Sequence, residues 1–315
     1  MAPSGKSLAD TEDKILVGAG EQPAWLTLAF ANRHGLVTGA TGTGKTVSLQ
    51  VMAEGFARAG VPVFASDIKG DLSGISRPGE AKDFILKRAS DLGLTYQADE
   101  FATVFWDVFG EQGHPVRATV TEMGPLLLAR MLDLNDVQEG VLNVAFRVAD
   151  ENGLALIDMK DLRALLDAII PEAGKKGADA AADPLAPIRK AAQSFGNVTR
   201  ATVGTIQRQL LVLENQGGTK FFGEPALDLH DLMRQDMTGR GIVNVLAADK
   251  LYQKPALYST FLLWMLSELF EELPEVGDLA KPKLVFFFDE AHLLFNDAPK
   301  ALMDKIEQVV RLIRS

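Results

Sequence analysis

The sequence predicts an α/β fold with a parallel central sheet, a small N-terminal β extension and a large all-helical insertion. Three observations support this prediction. Short, nearly continuous apolar segments recur along the chain, as in strands that are covered on both faces. A glycine-rich loop joins one of these segments to a helix, which is the arrangement at the first turn of a βαβ unit. More than a hundred residues with helical periodicity and almost no strand pattern separate the third and fourth of the central strands.

The composition is that of a globular protein of 315 residues, with 47% hydrophobic residues, 23% charged residues and a net charge of −10. The absence of cysteine excludes disulfides, thiol catalysis and cysteine-ligated metals. No apolar run approaches the roughly 18 to 20 residues that cross a bilayer, and the N-terminus lacks an apolar signal segment, so we expect a cytoplasmic protein without membrane contact. The negative charge argues against a surface that binds nucleic acid throughout, although several acidic subunits can still assemble around a basic channel.

The strand patterns set the predicted domain boundaries. Two short candidate strands, Ile15 to Val17 and Trp25 to Ala29, are separated by turn residues near the N-terminus. We interpret them as an extension that precedes the core. The predicted domains are a β extension of residues 1–33, a core of residues 34–116 and 239–315, and a helical insertion of residues 117–238.

The core strands are predicted from short segments that are rich in β-branched or aromatic residues. They cover residues 34–38, 61–67, 103–108, 241–246 and 283–288. Helices are predicted where apolar residues recur on one helical face. They cover residues 45–59, 123–132, 137–148, 199–215, 256–273 and 299–314, together with a helix capped by Asp161.

The stretch from His34 to Leu49, HGLVTGATGTGKTVSL, carries the most specific motif in the chain. It satisfies G-x-x-x-x-G-K-[ST], in which backbone N–H groups cradle phosphates, the lysine reaches the β- and γ-phosphates, and the hydroxyl ligates Mg²⁺. Glycines permit the left-handed turns of such a loop, and the following helix offers its positive N-terminus to the anion. The motif therefore predicts a nucleotide site at Gly39, Ala40, Thr41, Gly42, Thr43, Gly44, Lys45, Thr46 and Val47.

An acidic pair follows the last predicted strand, in LVFFFDEAH. Asp289 stands at the strand's end, where it is predicted to hold Mg²⁺ through water together with Thr46. Glu290 is placed to orient or deprotonate the water that attacks ATP. The sequence thus predicts Glu290 and Lys45 as catalytic residues, Thr46 and Asp289 as metal ligands, and ATP and Mg²⁺ as cofactors.

Further polar residues are expected at the same place, because ligands of open parallel sheets bind outside the carboxyl ends of the strands. Asp67, Lys69 and Asp71 are explained equally well by an ion-paired turn or by a role in sensing the nucleotide or binding a partner. Asp107, Asp249 and Lys250 fall at the same edge. His292 follows the acidic pair, and capping or packing of a helix explains it better than catalysis does.

These motifs resemble those of the HerA-like branch of the HerA/FtsK superfamily of P-loop ATPases, within the RecA-like class. The segments GLVTGATGTGKTVSLQ, DIKGDLSG, WDVFGEQGHPVRATV, GPLLLARML and KPKLVFFFDEAHLLFNDAP are similar to those of YjgR-type bacterial proteins. The resemblance covers practically the whole chain, and it implies a RecA-like core that uses ATP with Mg²⁺. It also implies a homohexameric ring that moves DNA or protein through a central pore; the lack of a membrane segment favours DNA over protein export.

Members of that family continue past the predicted helix 299–314 into a strand with a polar sensor residue and then a C-terminal segment. We therefore expect the sheet of this chain to lack the sensor strand, and we assign neither a sensor residue nor an arginine that acts on a neighbouring subunit. A missing strand also agrees with the sequence pattern, because an amphipathic helix after a central strand normally leads to another strand.

Two functions remain open on the sequence. The first is an ATPase motor that translocates or unwinds DNA, and the second is a scaffold or switch that binds ATP with little or no hydrolysis. No DNA-reading motif is present, so the first depends on the resemblance for its substrate. A set of basic residues in the insertion is explained either by a pore lining or, more simply, by a solvated helical face: Lys175, Lys176, Arg189, Lys190, Arg200 and Arg208.

Overall fold

The computed structural model describes residues 13–40, 42–171, 184–272, 277, 279–291 and 300–312. The strands are β1 Lys14–Ala19, β2 Pro23–Thr27, β3 Val63–Asp67, β4 Thr103–Asp107, β5 His114–Pro115, β6 Val243–Ala247 and β7 Val285–Phe288. The α-helices are α1 Lys45–Arg58, α2 Asp83–Asp91, α3 Val120–Met131, α4 Asp136–Glu151, α5 Met159–Ala168, α6 Ala186–Phe195, α7 Arg200–Asn215, α8 Gly218–Phe221, α9 Pro255–Glu272 and α10 Lys300–Leu312. Within these ranges, no helix is both long enough and apolar enough to span a bilayer.

The central sheet contains five parallel strands in the order β5-β4-β6-β3-β7. Its register places Asp67 at the end of β3 opposite Ala247 of β6, and Ser66 opposite Phe288 of β7. The carboxyl ends of these strands therefore lie at one edge of the sheet. β1 and β2 form a separate antiparallel pair. The predicted α/β class with a parallel sheet is confirmed, as are four of the five predicted core strands.

The fifth predicted strand, residues 34–38, is not formed, and that prediction is wrong. The segment has no regular secondary structure and is exposed, with Leu36 78% accessible and Val37 38% accessible. A strand requires a neighbour for its backbone N–H and C=O groups, and apolar composition alone does not supply one. Among the described residues, β7 pairs with β3 on one side and with no strand on its other side.

Both faces of the sheet are covered, as the apolar strand patterns predict. Alternate residues along β3 point to opposite faces, so Val63 packs with Phe56 of α1, whereas Phe64 packs on the other side. That second side carries the larger core, to which α9 contributes Trp264 and Phe261. The nearly all-round apolar character of α9 follows from its burial in this core.

The helices between β5 and β6 pack into the same large core. The predicted cap at Asp161 is wrong, because α5 begins one turn earlier with Asp158 as its N-cap. The Asp158 carboxylate accepts hydrogen bonds from the backbone N–H groups of Lys160 and Asp161, and the Asp161 side chain accepts from the Asp158 N–H. Asp161 is thus the N3 residue of a capping box whose N-cap is Asp158. The sequence patterns do not predict helices α2, α6 and α8 or strand β5, and the domain boundaries remain predictions.

A cluster of charged and aromatic side chains lies at the amino ends of β4 and β6. Arg58, at the end of α1, and Arg240, before β6, lie over the ring of Phe101 at 5.1 and 5.4 Å from its centroid. Asp99 forms ion pairs with both arginines, at 3.7 and 3.2 Å. We call these four residues the arginine clamp; it lies at the end of the sheet opposite Asp67.

Candidate nucleotide site

The glycine-rich loop adopts the conformation that its glycines allow. Gly42 and Gly44 have φ values of 81° and 95°, in the left-handed region that favours glycine. α1 begins immediately afterwards at Lys45, with Gly44 as an N-cap that makes no side-chain hydrogen bond. The first N–H groups of a helix have no partner within the helix, so this terminus presents unfilled donors and a positive dipole to an anion.

Internal hydrogen bonds close the loop around its lysine. The Lys45 ammonium donates to the carbonyl oxygens of Gly39 and Ala40, at 2.8 and 3.1 Å. The Thr43 hydroxyl donates to the Ala40 oxygen at 2.8 Å. A β-carbon at Gly39 would lie 2.5 Å from that hydroxyl, so a larger residue there would displace the Thr43 side chain and its hydrogen bond. Thr46 and Val47 lie in the first turn of α1, and Thr41 lies outside the described residues.

Asp289 follows β7 directly and is 8% exposed. Its backbone N–H donates to the Ser66 oxygen at 3.2 Å, which holds it beside the end of β3. One carboxylate oxygen, Oδ1, accepts from the Glu290 N–H at 2.9 Å, whereas Oδ2 is buried and has no hydrogen-bond partner among the described residues. Burial raises the pKa of the Asp289 carboxyl, because desolvation disfavours the charged form.

Glu290 has a left-handed backbone, with φ of 50°, which is uncommon for a residue with a side chain. Its carboxylate forms an ion pair with the ammonium of Lys69, which follows β3. This hydrogen bond raises the pKa of Lys69. The sequence placed both residues at one edge of the sheet, and the structure brings their side chains into contact.

Asp67 and Asp71 have turn roles. The two carboxylate oxygens of Asp67 accept from the N–H groups of Gly70 and Leu72 at 2.8 and 2.9 Å, and Asp67 is 2% exposed. Burial raises the pKa of the Asp67 carboxyl, and the nearby Asp289 adds to this rise. Asp71 begins a short 3-10 helix, Asp71–Ser76, and its carbonyl oxygen accepts from the Gln50 side chain of α1 at 2.7 Å. Gln50 therefore links α1, the helix that follows the glycine-rich phosphate loop of residues 39–46, to the loop after β3.

A second polar cluster lies at the ends of β4 and β6. The carboxylate of Asp107 accepts three N–H groups of the following loop, those of Phe109, Glu111 and Gln112, at 2.8 to 3.0 Å. The Gln112 side chain donates to Asp249, and Lys250 forms an ion pair with Glu111. These bonds fix the loop between β4 and β5 against the end of β6.

The chemistry of Asp289 fits a magnesium ion. Mg²⁺ prefers oxygen ligands and is commonly held by one or two carboxylates with water and substrate phosphates. A buried carboxylate oxygen without a hydrogen bond carries a desolvation cost that a cation relieves. Within the described residues, the Asp289 Oδ2 atom is such an oxygen. Asp289 and the Thr46 hydroxyl are the residues that would hold the ion.

Sequence reasoning missed two contacts of the site. Gln50 lies four residues after Thr46, and this helical spacing is a signal that it shares a face with the phosphate loop. Tyr258 of α9 lies with its hydroxyl 3.5 Å from the Ser66 hydroxyl, beneath the end of β3, and no local pattern indicates that contact. His292 lies outside the described residues.

A family model described as helicase HerA-like, C-terminal, matches residues 12–315. The match covers nearly the entire chain. This chain belongs to the HerA-like family. The resemblance inferred from its motifs is thereby confirmed. The family is one of P-loop ATPase motors of the HerA/FtsK type with a RecA-like core. A comparison of this HerA-like chain with curated proteins finds no match.

Several solved structures are distantly similar to the HerA-like chain. The bacterial conjugative coupling protein TrwB is 13% identical, with 91% of this chain and 70% of that chain covered and a TM-score of 0.46. VirB4 of Thermoanaerobacter pseudethanolicus is 13% identical, with 98% and 77% covered and a TM-score of 0.49. TrwB in complex with ADP and Mg²⁺ is 15% identical, with 90% and 69% covered and a TM-score of 0.45.

Proposed function

We propose that this chain binds ATP with Mg²⁺ at the phosphate loop, hydrolyses the ATP, and acts as one subunit of a homohexameric motor that moves DNA. In this proposal the backbone of residues 39–47 and the Lys45 ammonium hold the phosphates. Thr46 and Asp289 would hold the Mg²⁺, and the bound ion would supply positive charge to the phosphate oxygens. Glu290 accepts a proton from the attacking water.

The buried Asp289 Oδ2 atom, which has no hydrogen-bond partner in the described part of the chain, is the observation that carries the hydrolytic part of the proposal. The glycine-rich loop and Lys45 alone would be enough for a site that only binds phosphates. A buried acid with an unused oxygen, adjacent to a second acid at the end of a parallel strand, adds a cation ligand and a base. These two functions are the ones that phosphoryl transfer to water requires.

The DNA substrate and the hexamer are supported by family membership. Three basic residues of the helical region, Lys190, Arg200 and Arg208, are exposed and available for phosphate contacts. Arg189 is 8% exposed, so it is a poor candidate for such a contact. Lys175 and Lys176 lie outside the described residues.

The test is steady-state ATP turnover by the wild-type chain and by Glu290→Gln, in Mg²⁺ and in excess chelator, with and without duplex DNA. We expect Glu290→Gln to reduce turnover by about a hundredfold or more, since it removes a general base, while ATP affinity is retained. Chelation should stop turnover of the wild type. Turnover by Glu290→Gln equal to that of the wild type would remove Glu290 from this role.

DNA binding is tested by titrating salt against a labelled duplex, with light scattering to measure mass. A motor that contacts DNA phosphates should lose affinity steeply as salt rises, because counterions are released on binding. Retained ATP binding with neither turnover nor salt-dependent DNA binding would instead favour the scaffold or switch.

A further inference from the structure

Lys69 belongs to a turn that does not need its side chain. Asp67 closes the turn with both carboxylate oxygens, through the N–H groups of Gly70 and Leu72. Gly70, at φ of 81°, supplies the left-handed residue of the turn. The Lys69 side chain instead extends across the end of β3 to Glu290, and 55% of it stays exposed. Its contact with Glu290 is therefore the feature to be explained.

The described contacts restrain Glu290 at both its backbone and its side chain. Its backbone occupies the left-handed region, and such strain persists only where the surroundings over-determine the conformation. Its N–H is fixed by Asp289 Oδ1, and its carboxylate is held by Lys69. A side chain that is restrained at both its backbone and its tip has a defined direction, as a catalytic base requires.

The loop that carries Lys69 also contacts the phosphate-loop helix. Gln50 of α1 donates to the carbonyl oxygen of Asp71, two residues after Lys69, at 2.7 Å. One continuous set of contacts thus runs from α1, through the loop after β3, to the carboxylate of Glu290. A surface ion pair generally contributes little to the free energy of unfolding. The role to be sought for the pair of Lys69 and Glu290 is therefore the position that it gives the Glu290 carboxylate.

We propose that Lys69 is a positioning residue that holds the Glu290 carboxylate in the direction needed to accept a proton from water. This inference rests on the proposed function, because it assigns Lys69 a role in that reaction. Lys69 acts through Glu290 and is not itself a catalytic residue. The loop that carries Lys69 is also bonded to α1 through Gln50. Glu290 and the helix that follows the glycine-rich loop therefore both contact this loop.

The experiment compares ATP turnover by the wild type, Lys69→Met, Lys69→Arg, Glu290→Gln and the double variant Lys69→Met/Glu290→Gln. Methionine keeps the unbranched stem and removes the charge. We expect kcat to fall about tenfold or more in Lys69→Met, since misplacing a reacting group by about 1 Å costs that much, while KM changes by less than about twofold. Lys69→Arg should restore most of the activity. Lys87→Met, at an exposed position of α2, is the matched control and should behave as the wild type.

The double variant tests whether Lys69 acts through Glu290. We expect Lys69→Met to have no further effect once Glu290 is glutamine, because the effects of residues that act as a unit are not additive. Three results would overturn the inference: an unchanged kcat in Lys69→Met, a raised KM with an unchanged kcat, or the same fold loss in both backgrounds.

Amide hydrogen exchange of the segment 285–291 provides a readout that does not depend on turnover. Loss of the ion pair should free the turn, so exchange at Asp289 and Glu290 should be about threefold faster or more in Lys69→Met and unchanged in Lys87→Met. Faster exchange in a protein without any turnover would overturn the proposed function while the contact stands. Turnover that Glu290→Gln abolishes and Lys69→Met leaves intact would overturn the inference alone.

Discussion

Lys45 joins the two sides of the glycine-rich loop that is proposed to bind phosphate. Its ammonium bridges the carbonyl oxygens of Gly39 and Ala40, so the charge is already held at the loop. The sequence predicted this position because the motif is local and fixes the spacing of glycines, lysine and threonine. The contact between Lys69 and Glu290 was not predictable in the same way, since 221 residues separate the two partners.

Lys45→Ala should weaken ATP binding while leaving the fold intact. Charged hydrogen bonds to the phosphates contribute about 1.5 to 3 kcal/mol, which corresponds to a loss of affinity of roughly ten- to a hundredfold. The measurement is isothermal titration with a non-hydrolysable ATP analogue. Lys87→Ala is the control for loss of a positive charge, and it should bind as the wild type does. Equal affinity of Lys45→Ala and the wild type would contradict the nucleotide site.

At the scale of elements, helices and buried strands were predictable and pairing was not. α1, α4 and α7 have apolar residues at helical spacing, and β3 and β6 are apolar segments covered on both faces. The short strand β5 pairs only at its two residues, and no pattern of two residues marks a strand. The prediction of a strand at residues 34–38 is wrong for the opposite reason. The composition of this segment is that of a strand, but no described strand lies beside it.

At Gly241, the segment before β6 lies very close to the segment that joins α1 to β3, and a larger residue would disturb this contact. Its N–H donates to the Ala57 oxygen of α1 at 2.8 Å, and a β-carbon there would lie 2.2 Å from the Val61 oxygen. We expect Gly241→Ala to lower the free energy of unfolding by about 1 to 3 kcal/mol, because backbone atoms would have to move apart. Urea unfolding followed by circular dichroism measures the change.

Gly140, within α4, is the matched control for that substitution. A β-carbon at Gly140 meets nothing within 4 Å. Gly140→Ala should therefore raise the free energy of unfolding by about 0.4 to 1 kcal/mol, since alanine restricts the unfolded chain and favours the helix. An unchanged or raised free energy of unfolding in Gly241→Ala would show that the contact of Gly241 with Val61 does not limit stability.

At the scale of the whole molecule, stability should depend on the protonation of Glu268 in α9. Burial raises the pKa of Glu268 from its ordinary value of 4.5 to about 7, and the nearby Glu272, Glu122 and Glu271 add to the rise. The folded protein then binds this proton more tightly than the unfolded chain. The contribution to stability is present below about pH 4.5 and is lost as pH rises to about 7.

Glu268→Gln should remove this dependence. We expect the variant to be more stable than the wild type at pH 8 by about 1 kcal/mol, after allowance for solvent screening at a half-buried carboxyl. Most of that difference should disappear at pH 5, where the folded wild type is protonated. Urea unfolding at the two pH values measures it, with Glu100→Gln at an exposed position as the control. A constant difference at both pH values would contradict the assignment.

The arginine clamp joins three segments that are distant in the sequence. Asp99 and Phe101 precede β4, Arg240 precedes β6 and Arg58 ends α1, so one carboxylate and one ring contact both arginines. Lys69 and Glu290 follow β3 and β7, at the opposite end of the sheet. The clamp and the candidate nucleotide site can therefore be tested by separate substitutions, the first measured as stability and the second as ATP turnover.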